Sequence, residues 1–327
     1  AGRKLGQVSD LTLRETDAAN PIGARVRACA FRKSGRRPDL PSFRVLSLGV
    51  ILTALMPGCG PGLSVVERGA REQVMHIGNK YDPATLDPHL NNSSNTGILL
   101  SSLFEGLVRL ASDGKTILPG AAESWEISPD GLTYTFHLRA DGRWSNGDPV
   151  TATDFRDSYL RFLSPQLGAE LVSLAVPLVG ARAFTEGRSN DPASVGLRVV
   201  DSHTLIVVLA HPTPYWLSAG ATLFPVHRAS VEKSGGWLTR RGDWTRPGKL
   251  VSNGPFVLTE WRANAFVRVT RNERYWRAAD VRLREIRFYP TDDENSEERT
   301  YRADQLHVTS RFPRAKLSAY DSDGSAA

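Results

Sequence analysis

Residues 132–163 read LTYTFHLRADGRWSNGDPVTATDFRDSYLRFL, and the hydrophobic period changes halfway along. Leu132, Tyr134, Phe136 and Leu138 alternate with Thr133, Thr135 and His137. Apolar side chains at every second position belong on one face of a half-buried strand. Ala140-Asp141-Gly142-Arg143 and Trp144-Ser145-Asn146-Gly147-Asp148 then read as turns. After Pro149 the pattern becomes helical. Thr151 is placed to cap a helix, and Asp154, three residues on, can return the bond and complement the helix dipole. Phe155, Tyr159 and Phe162 follow at helical spacing, and Ser164-Pro165 ends the run.

The same signals recur outward from this stretch. Residues 195–200 and 204–209 read as paired strands joined through Asp201-Ser202-His203. Asn253-Gly254-Pro255 is a turn signal before a strand at 256–261, with 266–270 as its partner. Strands, hairpins and occasional helices mix without strict βαβ alternation. The expected class is therefore α/β, with mixed α+β sheets.

Upstream, residues 46–60 read LSLGVILTALMPGCG. The uncharged run 45–58 is shorter than the roughly 20 apolar residues that a membrane-spanning helix needs. It follows Phe31-Arg32-Lys33-Ser34-Gly35-Arg36-Arg37 and leads into small residues. Basic, short apolar and small-residue segments in that order are the layout of a secretory signal. The chain's two cysteines are Cys29 and Cys59. Leu55-Met56-Pro57-Gly58-Cys59 resembles the lipobox of bacterial lipoproteins, which implies lipidation of Cys59 and a membrane anchor. Residues 1–58 are thus expected to be a leader, made of an extension and a lipoprotein signal peptide. They hold ten Lys and Arg against four Asp and Glu, so the excess of +6 lies there and the remainder carries 31 of each sign. A balanced remainder gives no reason to expect a nucleic-acid partner.

Enzyme and metal signatures are absent from the sequence. It has no G-x-S-x-G, H-E-x-x-H or G-x-x-x-x-G-K-[ST] motif, and no catalytic residue is assigned. His203 and His211 stand eight apart across a strand and a Pro-containing turn, which is not a metal-ligand spacing on one helix. Asp292-Asp293-Glu294 with Glu297-Glu298 lacks the alternation and glycine of a calcium loop, and reads as a solvated helix start. No metal and no cofactor is expected.

Seven stretches stand out in order. They are Ala84-Thr85-Leu86-Asp87-Pro88-His89, Leu103-Phe104-Glu105-Gly106-Leu107, Ala121-Ala122-Glu123-Ser124-Trp125-Glu126 and residues 132–139. Residues 144–155, Ser252-Asn253-Gly254-Pro255-Phe256 and Arg271-Asn272-Glu273-Arg274-Tyr275-Trp276 complete them. Together they resemble the oligopeptide- and dipeptide-binding proteins of bacterial ABC importers, from about residue 74 to about residue 313. The resemblance implies a periplasmic-binding-protein-like two-lobe fold, of which the chain holds only the first lobe with its inserted subdomain. Lobe I would comprise 59–104 and 228–313, incomplete; the insertion 105–227; and a disordered tail 314–327. It implies a monomer, lipid-anchored outside the inner membrane, that captures extended oligopeptides through backbone hydrogen bonds and delivers them to an ABC permease.

Most of the shared residues read as core and turn determinants. For ligand contact the resemblance points to Asn92, Ser93 and Ser94 as one backbone edge, a segment that also reads as a plain polar loop. It places Thr222 near a pocket-lining stretch. Ser310 and Arg311 fall where the family has a tyrosine and an asparagine beside the ligand, and Leu171 where a relative would show an aromatic residue. Family chains are nearly twice this long, so truncation before the second lobe is expected to impair binding. Two alternatives stay open: a non-binding interaction module or degenerate gene product, and a nickel- or haem-binding member of the same family.

Overall fold

The computed structural model describes residues 62–316 and 318. The leader, Cys59 and residues 319–327 lie outside them. In chain order the described elements begin with α1 (Val65–Glu72), β1 (Val74–Asn79), α2 (Ser94–Leu103), β2 (Val108–Leu110), β3 (Ile117–Pro119), β4 (Ala122–Ile127) and β5 (Thr133–Leu138). Then come α3 (Ala152–Leu163), α4 (Ala181–Thr185), β6 (Leu197–Asp201), β7 (Thr204–Val208), α5 (Trp216–Gly220) and α6 (Arg228–Glu232). The last are β8 (Phe256–Arg262), β9 (Phe266–Arg271), β10 (Glu285–Pro290) and α7 (Glu294–Arg302).

β5 carries the alternation of its sequence into space: Tyr134, Phe136 and Leu138 are buried while Thr133, Thr135 and His137 are half-buried. It sits inside an antiparallel sheet of order β4-β5-β7-β6. The change of period at Pro149 is the start of α3. Thr151 and Asp154 form a reciprocal capping box, with the Thr151 N–H donating to Asp154 Oδ2 at 2.7 Å. The helix turns Phe155, Tyr159 and Phe162 inward, all at most 5 % exposed, to cover β6 and β7. β6 starts at Leu197 rather than at 195; Gly196 accepts from the Val208 N–H at 2.8 Å while its own N–H turns to the Val179 carbonyl at 2.9 Å.

The second sheet has the order β1-β10-β9-β8. β8 and β9 form the hairpin expected after Asn253-Gly254-Pro255, and β10 runs antiparallel to β9. β1 lies parallel to β10, with Val74 opposite Glu285. On the other side of β1, the Gly78 N–H donates to the Val308 carbonyl and the His307 N–H to the His76 carbonyl, both at 2.8 Å. Residues 307–308 thereby extend this sheet. β2 and β3 make a separate two-stranded ribbon.

Each four-stranded sheet has its own hydrophobic core. The buried residues of one run from Leu107 to Leu223 and include Trp144 and Trp216. Those of the other come from 77–104 and 224–288, with Trp244, Phe256 and Phe288 among them.

α7 corrects one expectation. Asp293 caps it, accepting from the Ser296 N–H at 2.7 Å, as a helix start should. Glu297 and Glu298, however, are 0 % and 1 % exposed rather than solvated. Gly78 on β1 makes the room: a Cβ there would fall 1.9 Å from Glu297 Oε1. Glu298 is paired with Lys316 at 2.9 Å and Arg302 at 3.6 Å. Lys316 belongs to a 3₁₀ turn, Arg314–Lys316, at the start of the segment expected as a tail.

Candidate ligand-binding site

A cleft of about 250 Å³ opens beside α2. Ser94, Gly97, Ile98 and Ser101 of α2 form one wall, and Pro88, His89 and Asn91 lead into it. Phe162 of α3, Leu171 and Leu174 face them, and Thr222, Leu223 and Phe224 complete the lining. Ser94 and Thr222, 128 positions apart, therefore meet at one cavity.

The floor of the cleft is fixed by a buried ionic knot. Arg161 of α3 makes a bidentate pair with Asp87, at 3.1 Å to Oδ1 and 2.7 Å to Oδ2. Its side chain is 0 % exposed and that of Asp87 3 %. The guanidinium also donates to His89 Nδ1 at 2.8 Å and, through Nε, to the Trp237 carbonyl at 2.7 Å. Arginine has no acceptor, so His89 Nδ1 must be unprotonated and its proton sits on Nε2, which donates to the Phe224 carbonyl at 2.9 Å. Burial, with the Arg161 charge next, lowers the His89 pKa to about 4, so the ring is neutral at pH 7. The Asp-Pro-His sequence thus ties the approach to α2, the helix α3 and the loop at Phe224 into one piece.

A second knot gathers five of the conspicuous stretches. Glu105 accepts from the Tyr275 hydroxyl at 2.5 Å and from Trp276 Nε1 at 2.8 Å. Its N–H donates to Asn253 Oδ1 at 3.0 Å and its carbonyl accepts from Asn253 Nδ2 at 2.8 Å. Asn272 Nδ2 donates to the Gly254 carbonyl at 2.9 Å. Ser145 exchanges bonds with Ser252, and Arg139 lies 3.5 Å over the Trp276 ring. Burial raises the Glu105 pKa, partly offset by its two donors. These motifs are structural fasteners between the two cores, as their reading as core and turn determinants anticipates.

The family description "Bacterial extracellular solute-binding proteins, family 5 Middle" matches residues 116–326. The chain belongs to this family. Over 292 residues it is 32% identical to the oligopeptide-binding protein OppA of Bacillus subtilis (strain 168), covering 86% of this chain and 52% of that protein. Over 249 residues it is 35% identical to the periplasmic murein peptide-binding protein MppA of Escherichia coli (strain K12), covering 75% and 44%. The structure of Haemophilus influenzae OppA in complex with RPPGFSPFR is similar at a TM-score of 0.71 and 31% identity, covering 77% of this chain and 48% of that one. The chain spans about half the length of the curated relatives it matches. This is a family of solute-binding proteins and not of enzymes, and the mixed α/β fold is that of periplasmic peptide-binding proteins.

Of the residues singled out from the sequence, Ser94, Thr222 and Leu171 line the cleft. Asn92 and Ser93 sit at its rim on the approach to α2: Asn92 is exposed and donates to Glu170 Oε2 at 2.6 Å. Ser93 exchanges bonds with the Asn91 side chain at 3.0 and 3.2 Å. Ser310 and Arg311 stand elsewhere, around α7. Both the Ser310 N–H and its hydroxyl donate to Glu297, the hydroxyl at 3.0 Å, and Arg311 Nε is 3.8 Å from the same carboxylate. Burial raises the Glu297 pKa, against the bonds from Ser310 and the Arg311 charge. Arg161, Phe162 and Leu174 were not foreseen as site residues. From the sequence Phe162 reads only as part of the core face of its helix, and Arg161 carries no signal beyond its place beside that face. Among the described residues no group of three or more His, Cys, Asp or Glu could hold a metal ion, and no helix is long and apolar enough to cross a membrane.

Proposed function

We propose that this chain forms one wall of the substrate-binding component of a peptide ABC importer, working outside the inner membrane. The observation that carries this is the meeting of Ser94 and Thr222 at one cleft, since both came from separate segments expected to lie along a ligand. Asn92, Ser93 and Ser94 supply a backbone edge for an extended peptide, Ser93 once the Asn91 side chain releases its N–H and carbonyl, and Thr222 the opposite rim; the strand-like pairing itself adds affinity whatever the side chains. Ser310 and Arg311, tied to Glu297, act on the ligand from their position at the edge of the β1 sheet rather than in this cleft. The relatives' peptide names support the substrate class. Cys59 anchors the protein to the membrane, and an ABC permease receives the cargo from the monomer. The division of the cores near residues 104–107 and 223–224 supports 59–104 with 228–313 as lobe I and 105–227 as its insertion.

One wall leaves half of a bound strand in water, with its pairing bonds unmade at about 1 kcal/mol each. Residues 1–327 alone should therefore bind short peptides more weakly than micromolar. Amide NMR of the chain titrated with trialanine and tetraalanine tests both parts. Millimolar-range shifts confined to residues 88–98, 171–174 and 221–224 are expected. No shift in those segments would overturn the assignment of the site, and micromolar affinity by calorimetry would overturn the one-wall account.

A further inference from the structure

We infer that the cleft beside α2 selects an uncharged, apolar side chain of the peptide and rejects a charged one. This rests on the peptide-binding reading above and adds the selectivity of its site. No Asp, Glu, Lys or Arg lines the cleft. Its walls are largely hydrocarbon, from Ile98, Leu100, Phe162, Leu171, Leu174 and Leu223.

Of the polar groups that face it, His89, Asn91, Thr222 and Ser94 are already engaged, and Ser101 adds one neutral hydroxyl. His89 uses both ring nitrogens, one accepting from Arg161 and the other donating to the Phe224 carbonyl. The Asn91 amide is bonded in both directions to the Ser93 backbone. The Thr222 hydroxyl donates to the Ala219 carbonyl at 2.9 Å, and the Ser94 hydroxyl points to Asn95 Oδ1 at 3.4 Å. The one strong cation nearby, Arg161, is sealed behind His89 and neutralised by Asp87. A lysine or aspartate side chain buried here would lose its hydration and gain no counter-charge inside the cleft, the nearby Glu170 carboxylate lying at the exposed rim on Asn92, and that loss costs far more than the cleft can return.

Size sharpens the selection. About 250 Å³ is below the roughly 300–1,000 Å³ of cavities that enclose a drug-sized molecule, and suits one leucine, methionine or phenylalanine side chain. Each buried methylene is worth about fourfold in affinity, so leucine should outbind alanine by more than tenfold.

The test uses the full chain with methyl groups labelled, titrated with N-acetyl amides of leucine, phenylalanine, alanine, lysine and aspartate, and with the tripeptides Ala-Leu-Ala and Ala-Lys-Ala. Shifts at the methyls of Ile98, Leu171 and Leu174, with leucine and phenylalanine amides at least tenfold tighter than lysine and aspartate amides, are expected. Leu171 is 42 % exposed, so Leu171→Asp can be made without disturbing the core, and it should bring the lysine amide to within threefold of the leucine amide. Equal binding of charged and apolar amides to the unaltered chain, or no shift at these methyls, overturns the selectivity. If the amides discriminate but the tripeptides bind no better than the amides, the selectivity stands and the peptide-capture reading fails instead.

Discussion

Arg161 and Asp87 face each other across two hydrogen bonds of 3.1 and 2.7 Å, with the arginine side chain wholly out of water. Removing one partner leaves the other charge buried and unpaired. Asp87→Ala or Arg161→Ala should cost about 3–5 kcal/mol. Asp87→Asn, which keeps an acceptor but not the charge, should fall between Asp87→Ala and the unaltered chain. Urea midpoints at unchanged m-value measure this; a loss below about 1 kcal/mol for either alanine variant would show that the pair is not a structural tie.

Glu105, buried at 6 % exposure, receives two donors, Tyr275 and Trp276. Glu105→Ala strands both donors, at about 1–3 kcal/mol for each unsatisfied group. Glu105→Gln retains an acceptor and lets the Tyr275 hydroxyl turn to accept, so it should lose less than half as much. Equal losses would refute the hydrogen-bonding account in favour of packing alone.

Gly254 approaches the end of α2 so closely that a Cβ would lie 2.6 Å from the Leu103 carbonyl carbon and oxygen. Backbone cannot yield as a flexible side chain does. Gly254→Ala should cost about 1–3 kcal/mol by overpacking, and Gly97→Ala, where a Cβ meets nothing within 4 Å, should be neutral or stabilising. Thermal midpoints of the pair decide it.

Acid should weaken the fold through His89. Its folded pKa is lowered to about 4 from 6.5, so between those values the unfolded chain takes up a proton that the folded chain refuses. Its contribution is whole above about pH 6.5, declines as the pH falls toward 4, and amounts to on the order of 3 kcal/mol. His76, stacked between Tyr289 and His307 and lowered to about 4 by burial and then the His307 charge, acts in the same sense. Glu105 and Glu297, raised by burial, act in the opposite sense, gaining as pH falls. The His89→Gln variant isolates the histidine: glutamine can accept from Arg161 and donate to Phe224 without titrating. Its urea midpoint should fall less than that of the unaltered chain from pH 7 to pH 4.5, and parallel curves would overturn the assignment.

Cys59 tests the anchor. In a bacterial host fed an alkyne-bearing fatty acid, the protein should become labelled and partition with membranes, and Cys59→Ala should abolish both. Labelling that survives the substitution would refute lipidation at this residue.

The local order was legible where one segment decides its own conformation. The alternation of Tyr134, Phe136 and Leu138 and the capping pair Thr151 and Asp154 reappear unchanged in the fold. What the sequence hid depends on distant partners. Arg161 carries no sequence signal of its buried role, since arginines are mostly exposed unless paired. Its partners lie 74 positions upstream at Asp87 and 76 downstream at Trp237. Glu297 was misread for the same reason, since only Gly78, on a strand more than 200 residues earlier, makes space for it. The cleft was half legible: resemblance found Ser94 and Thr222, while Leu174 and Phe162 come to it only through the packing of α3 against the loops around it.

The parallel pairing of β1 with β10 has a consequence in time. Val74 pairs with Glu285, 211 positions later, while the core from Leu107 to Leu223 draws its buried residues only from chain lying between them. At about 5–20 residues per second, β1 leaves the ribosome ten seconds or more before its partner exists. The inner core can close during that interval, but the Val-Met-His-Ile strand stays an unclaimed edge until synthesis reaches residue 290. If the protein is exported, as the proposed function requires, that delay is the interval in which export machinery can still find it unfolded.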